Sequence, residues 1–226
     1  MDYLVFRLYG PMASWGEIAV GEARHSASYP SKSAITGLLA AALGLTREQE
    51  REQSELANGY AQAIKVLSGG SLLKDYHTAQ APDSAGKFIY RTRRDEIVTG
   101  KDRLGTVLSS REYRVDAHAV VAIKAQDDAP HSLPILVGAL KNPKFHLYLG
   151  RKSCPLAAPL NPQIVEATDF RGALDNYAVR PLLNADVHWL SDARWLAEAS
   201  HYRYYWEGEL SDFCGADDFT PQHVQL

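Results

Sequence analysis

The sequence predicts an α+β fold with a substantial hydrophobic core. Residues 3–9 (YLVFRLY) show the two-residue alternation and the aromatic and β-branched content of a strand. Residues 35–42 place apolar side chains at i, i+3, i+4 and i+7, the pattern of a helix with one buried face. Hydrophobic residues make up 46% of the 226 residues, which is ordinary for a globular protein of one large or two small domains.

The N-terminal strand has two faces of different character. One face is apolar and is expected to lie in the core; it carries Leu4, Phe6 and Leu8. The other face mixes aromatic side chains with an arginine; it carries Tyr3, Val5, Arg7 and Tyr9. This second face fits either a base-stacking platform, as on four-stranded RNA-binding sheets, or a surface that other parts of the chain cover.

Two helices and two strands are predicted next. Ser31 or Ser33 can cap the first helix, and Gly44 ends its pattern. Residues 46–58 have the polar composition of a surface helix, which Gly59 can close.

A strand is predicted over residues 60–67, where apolar residues alternate. The turn sequence at residues 68–70 (SGG) predicts a hairpin into a further strand at residues 71–73. Residues 75–82 are then expected to leave regular structure.

A positively charged segment follows at residues 87–114. It contains eight basic and four acidic side chains, a balance of +4 in a chain whose formal net charge is −3. Gly100 and Gly105 interrupt weak strand patterns at residues 96–99 and 106–108. This composition predicts a protruding arm, and a solvated loop is the alternative.

The order of the remaining elements indicates the layout. Residues 112–123 predict a strand, residues 133–140 a short helix and residues 145–149 an extended segment. Strand, helix, strand, strand, helix and strand fit a split βαβ layout, that is, a modified ferredoxin-like (RRM-like) domain. We expect this domain over residues 1–160, with the arm inserted at about residues 80–114.

A smaller β-rich extension is expected over residues 161–226. One or two helical turns are predicted at residues 170–177, and strands at residues 187–195 and 201–207. The last of these is rich in tyrosine and tryptophan, a density more typical of packing than of ligand stacking. Residues 207–218 contain five acids and no lysine or arginine, so this end is expected to bind RNA poorly.

Composition excludes several classes of protein. A net charge of −3 and a pI near 6.2 argue against coating of nucleic acid by bulk charge, so any such contact must use local basic patches. No apolar run approaches the ~20 residues of a membrane span, and a strand follows Met1 directly, so we expect a cytoplasmic protein without membrane contact. The two cysteines, Cys154 and Cys214, indicate neither a disulfide framework nor a thiolate metal site.

The sequence YLGRKSCPL at residues 148–156 is the first candidate anion site. Gly150 can adopt a positive φ in a tight bend, and Pro155 biases Cys154 away from helix. The intervening Arg151, Lys152 and Ser153 offer cationic, hydroxyl and backbone N–H groups that suit a phosphate or carboxylate. The alternative is a solvated turn.

A second candidate lies at residues 24–33 (RHSASYPSKS). Arg24, His25 and Lys32 surround Tyr29 without an acidic neighbour in this segment. Lys32 also begins the predicted helix, whose free N–H groups and partial positive charge can hold a phosphate. These residue types are equally typical of a simple helix start.

Together these motifs resemble a known family. The N-terminal strand before GPMASWG, the helix start YPSKSAITGLLAAALG, the tripeptide DYH and YLGRKSCPL are similar to the CasD subunit family of the type I-E CRISPR Cascade complex. The similarity covers motifs spread from residue 3 to about residue 160. It implies a repeat-associated RNA-binding superfamily fold that holds the 5′ handle of the CRISPR RNA, contacts the backbone and large subunits, and meets target DNA through the complex.

The resemblance also implies the RNA-contacting residues. They are Arg24, His25, Tyr29, Lys32 and Ser33 in the first strip; Arg91, Arg93, Arg94, Arg103 and Arg111 in the arm; and Gly150, Arg151, Lys152, Ser153 and Cys154 in the turn.

Two functions from different classes remain open. The first is a non-catalytic RNA-binding and assembly subunit, without cofactor or metal. The second is a metal-independent endoribonuclease, since related subunits of another CRISPR subtype cleave precursor RNA and His25, His77, Tyr29 and Tyr76 could supply acid–base groups. The first is favoured, because no spacing of residues compels a catalytic role and no metal motif such as HExxH is present. His77 in particular is expected in a loop, without a paired carboxylate.

Overall fold

A computed structural model of the chain describes residues 1–19, 21–82, 89–99, 102, 104–178 and 202–215. Its strands are β1 (Asp2–Tyr9), β2 (Met12–Ala13), β3 (Ala23–Arg24), β4 (Tyr60–Ser68), β5 (Ser71–Pro82), β6 (Leu104–Val115), β7 (His118–Ala125), β8 (Gln163–Glu166) and β9 (Arg203–Trp206). Its α-helices are α1 (Lys32–Leu43), α2 (Glu50–Asn58), α3 (Leu133–Lys141), α4 (Phe170–Asn176) and α5 (Leu210–Phe213). Within these ranges, every helix is too short or too polar to cross a membrane.

The main sheet has five strands in the order β8-β1-β7-β4-β9, and all neighbouring strands are antiparallel. Helix α1 lies between β1 and β4 along the chain, and α3 lies between β7 and β8. The expected α+β class is confirmed, as are the strands predicted over residues 3–9 and 60–67.

Both faces of this sheet are buried. Leu4, Phe6 and Leu8 pack with the apolar faces of α1 and α3. On the opposite face, Tyr3 meets the Phe170 ring at a centroid distance of 5.1 Å. The rest of this second layer comes from α4, β9 and α5. The second face of β1 is therefore covered by the chain itself. Of the two interpretations of this face, the base-stacking platform is wrong and the covered surface is confirmed.

Helix α1 follows its sequence signals closely. The Ser31 hydroxyl accepts a hydrogen bond from the Ala34 N–H, which caps the first turn. Gly44 ends the helix with a φ of 84° and donates to the carbonyls of Ala40 and Ala41. Helix α3 also matches its prediction, whereas α2 begins only at Glu50, four residues later than predicted.

The hairpin predicted at residues 68–70 does not form, because the strand that follows belongs to a second sheet. Strand β6 pairs with β2, β3 and, over its whole length, β5. Gly69 and Gly70 therefore do not turn β4 back on itself; they carry the chain from one sheet to the other. Residues 75–82 remain within β5 instead of leaving regular structure, because their backbone groups are taken up by β6. The two strands form a long hairpin.

Three further predictions are wrong. Residues 112–123 are not one strand, because Asp116 adopts a φ of 61° and the chain passes there from β6 into β7. Residues 95–99 form a π-helical turn and not a strand. Residues 145–149 contribute a single bridge between Tyr148 and Pro155 and no strand.

The C-terminal part agrees in outline. Helix α4 and strand β9 match the predictions for residues 170–177 and 201–207. Strand β8 was not predicted, since its four residues show too short a pattern. The strand predicted at residues 187–195 lies outside the described residues.

Candidate nucleic-acid interface

The turn at residues 149–154 is built around Gly150. Its φ is 82°, and a Cβ at this position would lie 1.8 Å from the Ser14 carbonyl oxygen, so a side chain cannot fit. The Ser14 N–H donates to the Leu149 carbonyl at 3.0 Å, which docks the turn beside β2. The Cys154 N–H donates to the Arg151 carbonyl at 2.8 Å and closes the loop. The predicted positive φ of Gly150 is confirmed. Glycine is required here both by this φ and by the close approach of the Ser14 carbonyl.

Arg151 reaches from this turn to two distant segments. Its Nη1 donates to the Glu112 carbonyl at 3.3 Å, and its Nη2 lies 3.5 Å from the Arg24 carbonyl. The guanidinium also lies 4.8 Å from the centre of the Tyr113 ring, a cation–π distance. The two candidate sites, which are more than 100 residues apart in sequence, therefore meet in the fold.

Glu112 organises the same place from β6. Its carboxylate accepts a hydrogen bond from the Ser26 N–H at 3.3 Å and lies 3.2 Å from His25 Nδ1. Burial is the largest single influence and raises its pKa, but the hydrogen bonds from His25 and Ser26 and the charges of His25 and Lys74 together lower the pKa below its usual value. Glu112 therefore holds the strip of residues 24–33 in place as an anion.

Arg114 fixes the strip a second time. Its Nε donates to the Ala27 carbonyl at 3.1 Å and its Nη2 to the Ser26 carbonyl at 3.2 Å. We call this set of contacts the basic junction; its members are Arg24, His25, Glu112, Arg114 and Arg151. Three segments of the chain meet here, residues 24–27, strand β6 and the Gly150 turn. Arg24 takes part through its carbonyl, while its guanidinium donates to the carbonyls of Gly21 and Ala23.

The remaining residues of the strip contact the C-terminal part. The ring of Tyr29 stacks on Tyr205 with centroids 3.9 Å apart. Lys32 Nζ lies 3.0 Å from a Glu207 carboxylate oxygen. Ser33 is exposed, and its hydroxyl lies 3.0 Å from that of Ser31. The Lys32 charge at the start of α1 is thus shared with an acid.

Only some of the residues predicted to bind RNA in the Gly150 turn are exposed. Lys152 and Ser153 are exposed. Cys154 is 0% exposed, so it has no surface with which to contact RNA. The same burial raises the pKa of its thiol. The assignment of Cys154 as a contact residue is wrong because its side chain belongs to the core.

The arm residues lie along the hairpin. Arg91, Arg93, Arg94 and Arg111 are exposed. The Arg93 guanidinium bonds to the Glu96 carboxylate at 2.6 Å and to the Gln80 carbonyl, both within the hairpin. Arg111 lies opposite Arg24 in the β3–β6 register, which places it next to the basic junction. Arg103 lies outside the described residues.

Both candidate catalytic histidines pair with carboxylates. His77 lies in strand β5, and its Nε2 is 2.5 Å from an Asp75 carboxylate oxygen. The expectation of a loop histidine without a paired carboxylate is therefore wrong. His25 and Glu112 form the second such pair. His77 lies on β5, which pairs with one edge of β6, whereas His25 follows β3, which pairs with the other edge. The two pairs therefore form separate sites.

Glu112, Tyr113 and Arg114 are members of the site that were not predicted from the sequence. They lie within a segment assigned to an uninterrupted strand, and only the exchange between the two sheets places them here. Tyr205 was grouped with its aromatic neighbours as packing. Because side chains alternate along a strand, Tyr205 must face the opposite side from Tyr204, and this could have been read from the sequence.

Comparisons with known proteins define the class. The family described as CRISPR-associated protein (Cas_Cas5) matches residues 3–223. The chain is 32% identical to the CRISPR system Cascade subunit CasD of Escherichia coli strain K12 over 184 residues, which cover 78% of this chain and 77% of that protein. The chain belongs to the Cas5 family of CRISPR-associated proteins.

A solved structure agrees with this assignment. A chain of a structure described as "CRISPR RNA-guided surveillance complex" superimposes with a TM-score of 0.53 at 28% identity. The match covers 71% of this chain and 61% of the solved chain, so this chain spans less than two thirds of that neighbour's length.

Proposed function

We propose that this chain is a non-catalytic RNA-binding subunit of a type I-E CRISPR Cascade effector complex and that it holds the 5′ handle of the CRISPR RNA. The observation that carries the proposal is the meeting of Arg151 with the Arg24 strip, which concentrates cationic groups at one place on a chain of net charge −3. Phosphate contacts of this kind supply most of the affinity in sequence-independent nucleic-acid binding. The similarity to CasD and to a chain of a surveillance complex supports the same role.

The fold suits this role. The strand order β8-β1-β7-β4, with helices after the first and third of these strands in chain order, corresponds to a modified ferredoxin-like domain. In this proposal residues 1–160 form the RNA-binding domain, the β5–β6 hairpin is its inserted arm, and residues 161–226 form an extension. Because the second sheet face is covered, RNA binds at the basic junction and not on the sheet.

The proposed contact residues fall into two groups. Around the basic junction they are Arg24, His25, Tyr29, Lys32, Ser33, Gly150, Arg151, Lys152 and Ser153. Along the hairpin they are Arg91, Arg93, Arg94, Arg103 and Arg111. The hairpin extends from the junction and exposes both cationic and apolar side chains, including Tyr76, Ile89 and Val107. Such a mixed surface suits simultaneous contact with RNA and a neighbouring subunit.

The proposed partners follow from the family. They are the backbone and large subunits of the complex, and target DNA is met only through the assembly. The proposed location is the cytoplasm, and no cofactor, metal or membrane takes part.

Co-expression tests this proposal. The tagged chain is produced with the candidate backbone and large subunits and a CRISPR RNA precursor, and the RNA that copurifies is sequenced. We expect a short RNA with one uniform 5′ end. Recovery of the chain without the other subunits, or with RNA of random ends, would contradict it.

The two histidine–carboxylate pairs support a second candidate function, a metal-independent endoribonuclease. Both histidines are about half exposed and accessible to RNA, with side-chain exposures of 51% for His25 and 46% for His77. Labelled repeat RNA is incubated with the chain, with and without EDTA. We expect no site-specific cleavage. Cleavage that is lost in His25→Ala or His77→Ala would establish the enzyme instead.

A further inference from the structure

Strand β9 lies alongside the strip of residues 24–33. Arg203, Tyr205 and Glu207 follow each other at two-residue intervals and therefore share one side of the strand. Arg203 and Tyr205 are paired with Val66 and Ile64, whose side chains belong to the core under α1. Tyr204 and Trp206 lie on the opposite side, in the second core. One side of β9 thus faces the strip, and the other packs.

Two contacts hold this side of β9 in position. Tyr205 stacks on Tyr29, and Glu207 binds Lys32, as described above. Arg203 precedes both along the same side of the strand. The strip therefore has the basic junction at one end and β9 at the other.

A cavity of about 290 Å³ lies between them. Ser28, Arg114, Arg203 and the Gly69-Gly70 turn contribute to its lining, and the described lining residues include no aspartate or glutamate. Its volume is close to the lower end of the range for ligand pockets, ~300 Å³. A Cβ on Gly69 would lie 3.9 Å from the Ser28 Cβ, which shows how close the turn comes to the strip.

The two guanidinium groups differ in their existing contacts. Arg114 uses two of the five N–H donors of a guanidinium on the Ser26 and Ala27 carbonyls, so it is positioned and keeps donors for a ligand. The Arg203 side chain is exposed and makes no hydrogen bond or ion pair with the described residues, while its backbone is paired with Val66 in the sheet. Two cationic forks beside a hydroxyl, without an acid, match the chemistry of a phosphate group.

We propose that the cavity between Arg114 and Arg203 holds a phosphate group of single-stranded RNA. This inference rests on the proposed function and extends it, because it adds Arg203, Arg114 and Ser28 to the RNA path. The path then runs from Arg151 along the strip to β9. Arg203 lies just before residues 207–218, the acidic segment that is expected to bind RNA poorly.

The test measures RNA affinity against salt. The full chain, Arg203→Gln, Arg203→Lys and the control Arg47→Gln are titrated with fluorescein-labelled oligouridine between about 50 and 200 mM salt. Arg47 is an exposed arginine beyond the far end of α1, whose 12 residues span ~18 Å, so its loss removes the same charge elsewhere. Thermal melting verifies that each variant is folded.

We expect Arg203→Gln to weaken binding about tenfold at the lowest salt, as for one charge-assisted hydrogen-bonded contact. The slope of log affinity against log salt should fall by roughly 0.7, while Arg203→Lys keeps most of the slope and Arg47→Gln behaves as the parent. If Arg203→Gln matches Arg47→Gln while Arg151→Gln still weakens binding, the cavity inference is overturned and the proposed function stands.

A second probe separates the two proposals. If the parent does not bind oligouridine, the proposed function fails, and the ³¹P signal of inorganic phosphate is followed with the parent and with Arg203→Gln. Phosphate binding that depends on Arg203 would support the cavity as an anion site, with free phosphate as its ligand. If neither probe depends on Arg203, the cavity inference is overturned.

Discussion

The basic junction and the outer hairpin are both positively charged, but they are held by different kinds of contact. At the junction, Arg151 and Arg114 bind backbone carbonyls of segments that lie far away in sequence. In the outer hairpin, which we define as residues 78–82, 89–99 and 104–108, Arg93 binds Glu96 and Gln80 within the same hairpin. Several apolar side chains there are exposed, among them Ile89 at 85%.

This difference indicates that the junction and the outer hairpin have different roles. Side chains fixed by the core keep one geometry, as is needed to hold a phosphate at a defined place. A hairpin that packs mainly on itself can adjust to a partner and orders its exposed side chains only on binding. In the proposed function, the junction therefore determines where the RNA lies, and the hairpin adapts to the neighbouring subunit.

The largest effect is expected from Gly150→Ala at the junction. Its Cβ would overlap the Ser14 carbonyl at 1.8 Å, and alanine is disfavoured at a φ of 82°. Together we expect a loss of about 3 kcal/mol or more in the free energy of unfolding, measured by urea denaturation.

Gly105→Ala in the hairpin is the matched control. A Cβ there would make only an ordinary contact, 3.8 Å from the Ala81 carbonyl oxygen, so stability should stay within ~0.5 kcal/mol of the parent. Equal destabilisation by the two substitutions would remove the proposed contrast.

His118 makes the region where the two sheets meet sensitive to pH. Burial, assisted by the charge of Arg7 and opposed by Asp116, lowers its pKa from 6.5 to about 4. Between these values the unfolded chain binds more protons than the folded chain, so stability falls as the pH drops from 6.5 towards 4, by up to ~3 kcal/mol.

His118→Phe should remove this part of the pH dependence, whereas the exposed His146→Phe should keep it. Denaturation at several pH values measures both. An unchanged pH profile in His118→Phe would show that this histidine does not carry the effect.

Glu207→Gln is expected to raise RNA affinity about two- to threefold, because it frees Lys32 from a surface ion pair worth less than ~1 kcal/mol. Glu166→Gln is the control, since Glu166 is an exposed acid on β8, at the opposite edge of the main sheet. Fluorescence anisotropy with oligouridine measures the affinities. The same gain in both variants would indicate a general charge effect and not release of Lys32.

Shortening the hairpin is expected to have little effect on stability. Replacing residues 78–108 with a Gly/Ser linker joins His77 to Ser109, which already lie opposite each other. Closure of a loop costs little, and the described side chains within residues 78–108 are largely exposed, so the free energy of unfolding should change by less than ~1 kcal/mol.

Incorporation into the RNA-bound assembly should nevertheless fall, as measured by copurification with the other subunits. The role of the hairpin is contradicted if the shortened chain unfolds or assembles as well as the parent.

Local patterns predicted much of this structure. β1, α1, β4 and α3 were predictable because each has a periodic apolar face that determines its own conformation. The exchanges between sheets at Gly69-Gly70 and at Asp116 were not. A turn residue shows that the chain bends there, but the partner of the next strand depends on residues far away in sequence.

The site was predictable in the same partial way. The positive φ of Gly150 was predictable from the local pattern of the turn, and the basic character of Arg24, Arg151 and Lys152 is visible in the sequence. That Arg151 lies against the Arg24 carbonyl depends on β3 and the Gly150 turn both packing beside β6, which no local signal contains. The burial of Cys154 was missed for the same reason.

The most direct test of the account compares the salt dependence of RNA affinity for two double variants of the full chain. Arg151→Gln/Lys152→Gln removes two charges at the junction, and Arg91→Gln/Arg94→Gln removes two in the outer hairpin. We expect the junction variant to lower the slope of log affinity against log salt by about 1.4, roughly 0.7 for each lost contact, and the hairpin variant to lower it much less. A folded junction variant with the slope and affinity of the parent would contradict the account.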